Sequence, residues 1–179
     1  FLEADMKKKY YVGLFFIIVI TLSIFTLGYN TILNKDSDAI QLAKVNVELN
    51  KFSTTKLDET PYTEADFPEG IVVVEVFASW CIPCRISYPE VVKFSQNNKE
   101  IPVVGIAYED VSFEIEKFEK EYGKLETVIV TNVKLKEAFT LRSVPQTLIV
   151  KDHKIVYKIF GSPKKGDLEE VIDLVKKEN

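Results

Sequence analysis

A run of β-branched, apolar residues from Ile71 to Ala78 leads directly into the two cysteines of the chain, Cys81 and Cys84. Runs of this kind, broken here only by Glu75, are typical of central strands buried on both faces. Pro83 is tolerated in a first helical turn, and the pattern then predicts a helix over 84–97. The sequence therefore predicts that both cysteines lie at a strand-to-helix junction.

Strands and helices alternate through the rest of the chain beyond Val47. Further strands are predicted over 102–107, 125–130, 147–150 and 155–160, and helices over 113–122, 135–141 and 168–175. A hairpin around Asp58-Glu59 precedes the first core strand, and Asp152-His153 is predicted to form a tight turn with His153 exposed. This order implies an α/β domain with a central mixed sheet flanked by helices.

The N-terminal segment has a different character. Three lysines at 7–9 precede an apolar run over 10–27, and a helix of that length would span about 27 Å, close to a hydrocarbon core of about 30 Å. A cleaved signal peptide is the alternative, but its apolar stretch is usually about 7–15 residues. We predict a cytoplasmic N-terminus at 1–9, one transmembrane helix at 10–29, a linker at 30–46 and the domain at 47–179, exported from the cytoplasm.

Composition and charge exclude several classes of function. The net charge of −4 leaves no basic footprint, so nucleic acid is not an expected partner. Two thiolates do not fill a tetrahedral zinc site, and the lone His153 lies far along the chain, so no metal site is predicted. A copper(I) carrier for oxidase assembly stays open as a non-enzymatic alternative, because soft thiolates suit that ion.

The spacing of the cysteines favours redox chemistry over a structural disulfide, because closing so short a loop removes little chain entropy. At a helix N-terminus, unpaired N–H groups and the helix dipole favour a thiolate, so the pKa of Cys81 is expected below about 8.5. Cys84, one turn inside, is expected to be buried. Cys81 is therefore the predicted nucleophile and Cys84 the resolving thiol. The pair is itself the redox centre, so no bound cofactor is expected.

Two further residues are unusual for their predicted elements. Glu75 places a carboxyl inside an apolar strand, where it either takes the proton of Cys84 during resolution, pairs with a lysine, or faces water at an edge. Pro145 enters a strand although it has no N–H to donate to the ladder. Either a trans edge proline or a cis Val144–Pro145 bond accounts for that position.

The stretch from Phe77 to Cys84 resembles the active site of thioredoxin-like proteins. Glu75 matches the buried aspartate of that family, Pro89 its helix kink, and Pro145 its cis-proline. The resemblance thus implies a thioredoxin-like fold, a cis Val144–Pro145 bond and dithiol chemistry.

Within that superfamily the domain is similar to the membrane-anchored TlpA/DsbE group, including a central insertion made of 104–110 and the helix after it. The resemblance implies a single-pass protein of the bacterial inner membrane, with its domain on the periplasmic face. It implies a reductant of protein disulfides, such as the cysteines of apocytochrome c, that is recharged by a membrane electron donor of the thiol-reducing type. A docking groove is expected around Cys81, with the substrate-binding residues Trp80, Ile82, Pro83, Val144 and Pro145. A disulfide-donating oxidase is the alternative enzyme.

The chain departs from this group at three places. Many members carry an acidic residue six positions after the first cysteine, where this chain has Ser87. Gln146 stands in place of the usual glutamate after the cis-proline. The glycines common in the group are missing around Leu141-Arg142-Ser143.

Overall fold

The computed structural model describes residues 13–15, 17–25 and 41–178. Within 41–178 the helices are α1 (Cys84–Asn97), α2 (Ser112–Tyr122), α3 (Val133–Ala138) and α4 (Asp167–Lys177), and a short 3-10 helix covers Glu64–Asp66. Its strands are β1 (Gln41–Glu48), β2 (Ser53–Thr55), β3 (Pro61–Thr63), β4 (Ile71–Phe77), β5 (Val103–Ala107), β6 (Thr127–Val130), β7 (Gln146–Lys151) and β8 (Lys154–Phe160). The elements predicted beyond Val47 are confirmed, with boundaries that move by a few residues, and helix α1 has the predicted bounds.

Six of the strands form one sheet in the order β1-β8-β7-β4-β5-β6. Strand β4 lies in the middle, parallel to β5 and antiparallel to β7, so the predicted mixed sheet is confirmed. Strands β2 and β3 pair with each other on either side of Asp58-Glu59, as the hairpin prediction required.

The two faces of the sheet bury separate cores. On one face, which we call the helix face, Val73 and Phe77 of β4 pack in one apolar cluster with residues of α1, α2 and α4. On the other face, β4 contributes Val72, Val74 and Val76 to a cluster with α3 and the β2–β3 hairpin. Helices therefore cover both faces, as predicted, and the alternation along β4 directs Glu75 to the helix face.

The register of the sheet determines what lies beside the cysteines. Val76 is paired with Gln146 at the start of β7, and Phe77 is paired with Ala107 at the end of β5. The loop that contains Pro145 and the loop that follows β5 consequently flank the residues after Phe77. Residues of both loops can therefore contact the turn that contains Cys81 and Cys84, which we call the redox turn.

Strand β1 corrects the predicted linker. Residues 41–46, predicted to belong to the linker over 30–46, lie in this strand, and β1 pairs antiparallel with β8 at the edge of the sheet. Its side chains alternate between exposed and half-buried, because an edge strand is covered on one face only. Polar residues therefore occupy half of the positions in β1. This mixed composition is also typical of a linker, which is why the strand was not predicted.

The Asp152-His153 turn forms as predicted, with one difference in burial. Both residues have positive φ, 49° and 61°, as the central residues of a two-residue type I′ hairpin do. His153 is half-buried rather than exposed, because its ring lies 6.0 Å from the ring of Phe67. This histidine is a packing residue of the hairpin.

Residues 13–15 and 17–25 are helical and belong to a separate unit of the chain. Large apolar side chains there, such as Leu14, Ile18 and Leu22, are exposed. Within the described residues, no helix has both the length and the apolar character needed to span a membrane. The predicted N-terminus at 1–9, part of the predicted span at 10–29 and most of the predicted linker lie outside the described residues.

Candidate active site

The two cysteines close a tight turn between β4 and α1. The N–H of Cys81 donates to the carbonyl of Ala78 at 3.2 Å, and the N–H of Cys84 donates to the carbonyl of Cys81 at 3.2 Å. Helix α1 begins at Cys84, after Pro83 in helical conformation at the N-cap position. Cys81 and Cys84 form a disulfide, with their Cα atoms 5.3 Å apart. The predicted strand-to-helix junction is confirmed.

The environment of the two sulfurs differs in the sense expected from the sequence. The Cys84 N–H also lies 3.2 Å from the Sγ of Cys81, so a helix N-terminal donor faces that sulfur. Cys84 is fully buried and Cys81 is 3% exposed, whereas Trp80 and Ile82 are 56% and 72% exposed. An N–H donor at this position favours a thiolate on Cys81.

The loop after β5 holds the residues that precede Cys81. Asp110 accepts a hydrogen bond from the N–H of Ser79 at 2.6 Å, and the indole N–H of Trp80 donates to the carbonyl of Glu109 at 3.3 Å. Sequence reasoning placed these loop residues in an insertion and missed their contact with the redox turn. This contact could have been predicted from the strand order, because the carboxyl ends of parallel neighbours such as β4 and β5 meet at one edge of a sheet.

Glu75 is fully buried on the helix face, and its two oxygens have separate partners. Ser87 donates to Oε1 at 3.2 Å and Thr147 donates to Oε2 at 2.7 Å. Burial raises the pKa of Glu75 to about 8, and the two hydrogen bonds oppose that rise. Of the alternatives left open by the sequence, the edge position facing water is wrong, and the observed partners are hydroxyls rather than a lysine.

The Val144–Pro145 peptide bond is cis, as the resemblance implied. Pro145 is buried, Val144 is half-buried against both apolar clusters, and the side-chain amide of Gln146 donates to the carbonyl of Ser143 at 2.8 Å. Ser162, two residues after the end of β8, donates to the carbonyl of Pro83 at 3.2 Å. Val144 packs against the apolar cluster that contains Cys81 and Cys84, and Gln146 pairs with Val76, so the cis-proline loop lies next to the redox turn.

Two polar residues of this site were missed in the sequence. The sequence marks Ser87 only as a departure from the TlpA/DsbE pattern, and it predicts a strand but no role for Thr147. Thr147 is the residue paired with Glu75 across the antiparallel ladder, so a correct β4–β7 register identifies it. In the part of the chain that the structure describes, no three His, Cys, Asp or Glu side chains are grouped to hold a metal ion.

Comparisons with known proteins agree with this geometry. The family model called Redoxin matches residues 44–174. The thiol:disulfide interchange protein HelX of Rhodobacter capsulatus is 29% identical over 127 residues, which cover 69% of this chain and 71% of HelX. The thiol-disulfide oxidoreductase ResA of Halalkalibacterium halodurans is 22% identical over 178 residues, which cover 97% of this chain and 99% of ResA.

A solved structure shows the same fold. The thioredoxin-family thiol:disulfide interchange protein of Chlorobium tepidum superposes with a TM-score of 0.64 at 21% identity, covering 74% of this chain and 97% of that one. At that level of identity the likeness establishes the thioredoxin-like fold alone. The Redoxin match spans more than half of the sequence and includes the Cys81–Cys84 pair, so the chain belongs to the Redoxin family and is a thiol–disulfide oxidoreductase.

Proposed function

We propose that this protein is a membrane-tethered reductant of protein disulfides outside the cytoplasm, with the cysteines of apocytochrome c as its substrate. The observation that carries the proposal is the Cys81–Cys84 disulfide at the N-terminus of α1, above a buried carboxyl. The resemblance to the TlpA/DsbE group supports the choice of substrate.

The first step is the attack of the Cys81 thiolate on a sulfur of the substrate disulfide. A bond forms between Cys81 Sγ and that sulfur, and the other substrate sulfur leaves as a thiolate that is protonated by solvent. The N–H of Cys84, 3.2 Å from Cys81 Sγ, stabilises the attacking thiolate. The product is a mixed disulfide between Cys81 and the substrate.

The second step is resolution by Cys84. Glu75 as a carboxylate takes the proton of the Cys84 thiol, and the resulting thiolate attacks Cys81 Sγ. The Cys81–Cys84 bond forms and the second substrate thiolate leaves, so the substrate gains two electrons and the cysteine pair loses two. A membrane electron donor of the thiol-reducing type then returns two electrons to the pair.

The substrate docks on the exposed residues around Cys81. Trp80, Ile82 and Pro83 are exposed beside the nucleophile, and apolar side chains of this kind are buried on contact with a partner. Strand β7 begins at Gln146, so Val144 lies outside the ladder and next to the cis bond. An extended segment of the substrate pairs with the backbone of Val144 there.

The direction of electron flow is tested by the reduction potential of the cysteine pair. We expect equilibration with glutathione buffers to give a value closer to that of thioredoxin, about −270 mV, than to that of DsbA, about −120 mV. Fluorescence of Trp80, the single tryptophan of the chain, monitors the redox state. A potential above about −160 mV would assign the protein to the oxidases instead.

The roles of the two cysteines are tested by exchanging each for serine. Cys81→Ser is expected to abolish insulin reduction, because it removes the attacking sulfur. Cys84→Ser is expected to accumulate mixed disulfides in cells, because resolution no longer occurs. Mass spectrometry of the trapped complexes identifies the substrates, and the double variant is the control. If every trapped protein is something other than apocytochrome c, the proposed substrate is refuted.

The role of Glu75 is tested by the pH dependence of resolution. With a pKa of about 8, the carboxyl is protonated below that pH, so the rate of resolution is expected to rise as the pH increases through about 8. Glu75→Gln is expected to slow resolution by about 100-fold and to move the rise to higher pH, where Cys84 ionises unaided. Stopped-flow release of thiol from a preformed mixed disulfide measures the rate.

Glu119 offers a matched control for that measurement. It is a second buried carboxyl in the domain, and it accepts a hydrogen bond from Tyr88 at 2.8 Å. Glu119→Gln is expected to leave the pH at which the rate rises unchanged. An unaltered profile in Glu75→Gln would show that the Cys84 proton goes elsewhere.

The membrane tether is supported by the apolar run over 10–27, the three lysines before it and the exposed apolar helical residues at 17–25. In a bacterial host, the full chain is expected to remain in the membrane pellet after alkaline carbonate extraction. The same chain without residues 1–29 is expected in the soluble fraction. A phosphatase fused after Asn179 reports the side of the membrane, and an inactive fusion or release by carbonate would contradict the tether.

A further inference from the structure

The hydrogen bonds of Glu75 connect two elements that serve different parts of the redox site. Its Oε1 accepts from Ser87, which lies one helical turn after Cys84 on α1. Its Oε2 accepts from Thr147, which lies two residues after Pro145 on β7. One carboxyl therefore links the helix of the resolving cysteine to the strand that follows the cis-proline loop.

Few other groups act on this carboxyl. On the helix face, α1 contributes the titratable groups Cys84 and Tyr88, and Cys81 lies in the same cluster. Helix α2 contributes the buried Glu119, which accepts a hydrogen bond from Tyr88 rather than from a partner of Glu75. Helix α4 and strand β8 contribute apolar or aromatic side chains to that cluster: Leu168, Val171, Ile172, Val175, Tyr157 and Ile159. Strand β5 places Gly105, which has no side chain, opposite Glu75. The two hydroxyls are thus the hydrogen-bond partners that orient the carboxyl.

We propose that Ser87 and Thr147 are positioning residues for the Glu75 carboxyl, and that each of them holds one of its two oxygens. Thr147 holds Oε2 against strand β7, and Ser87 keeps Oε1 turned toward the helical turn of Cys84, where the proton of resolution arrives. This inference rests on the proposed function for the source of that proton. The hydrogen-bond geometry itself is independent of turnover.

The surroundings of Ser87 provide a partner for both protonation states of Glu75. Its Oγ lies 3.2 Å from Glu75 Oε1 and 3.4 Å from the carbonyl oxygen of Cys84. When Glu75 is ionised, the hydroxyl donates to Oε1. When Oε1 carries the proton, the same hydroxyl accepts from it and donates to the Cys84 carbonyl. No buried hydrogen bond is lost as the proton arrives.

The test removes each hydroxyl and measures the titration of Glu75 in the oxidised full-length protein. Ser87→Ala and Thr147→Val each remove a donor to the carboxylate. A hydrogen bond to the charged carboxylate is stronger than one to the neutral acid, so the pH midpoint of Glu75 is expected to rise by about one unit in each variant. The midpoint is read from the carboxyl signal, by infrared or ¹³C NMR spectroscopy, that disappears in Glu75→Gln. In the same variants, the pH at which the resolution rate rises is expected to shift together with the Glu75 midpoint.

Two control variants separate positioning from general packing. Ser95 lies on the same helix and donates to the carbonyl of Val92 at 2.8 Å, three residues back, as Ser87 does to that of Cys84. Ser95→Ala is expected to leave the midpoint unchanged. Thr147→Ser keeps the hydroxyl, so its midpoint is expected to equal that of the unsubstituted protein and not the raised midpoint of Thr147→Val.

The outcomes distinguish this inference from the proposed function. An unchanged midpoint in both Ser87→Ala and Thr147→Val, or an equal shift in Ser95→Ala, overturns the inference even if the protein reduces insulin. Shifted midpoints in a protein that reduces no disulfide support the positioning role and overturn the proposed function. Shifted midpoints together with shifted resolution profiles support both.

Discussion

The pairing of strand β4 on both edges is the constraint on which the redox site depends. Strand β5 lies on one side and β7 on the other, and the two faces of β4 are covered by separate cores. A slip of one residue would move Glu75 to the opposite face and expel Phe77 from its cluster, so the register is strongly specified. The cysteine turn continues from this strand, and its position relative to the cis-proline loop follows from the same register.

The buried carboxyl of Glu75 is tolerated because its environment compensates for the loss of water. A pKa of about 8 keeps the group largely neutral near pH 7, which avoids most of the cost of burying a charge. Both oxygens are hydrogen-bonded, and in the described part of the chain no buried side-chain nitrogen or oxygen lacks a partner. The site therefore holds a titratable group near the pH at which thiols ionise, without an unsatisfied polar atom.

Features encoded in neighbouring residues could be predicted, whereas features that depend on register could not. The bounds of helix α1, the burial of Cys84 and both hairpins followed from periodicity and turn chemistry, whereas the sequence left open whether Glu75 is buried or faces water. The contacts of Glu75 with Thr147 and of Ser79 with Asp110 join residues far apart in the sequence, and only the order of the strands brings them together. Strand β1 was missed because an edge strand with one half-buried face lacks a continuous apolar run.

The serine at position 87 determines how many protons the site takes up. Its Oγ lies 3.2 Å from Glu75 Oε1, so an acidic residue there, as many members of the TlpA/DsbE group have, would bring a second carboxyl close to Glu75. Two carboxylates so near each other cannot both ionise readily, and their protons would come off in two coupled steps. With a hydroxyl in that place, the interior of this site has one titrating carboxyl. Its single proton is then governed by the balance between burial, which favours the acid, and two hydroxyl donors, which favour the base.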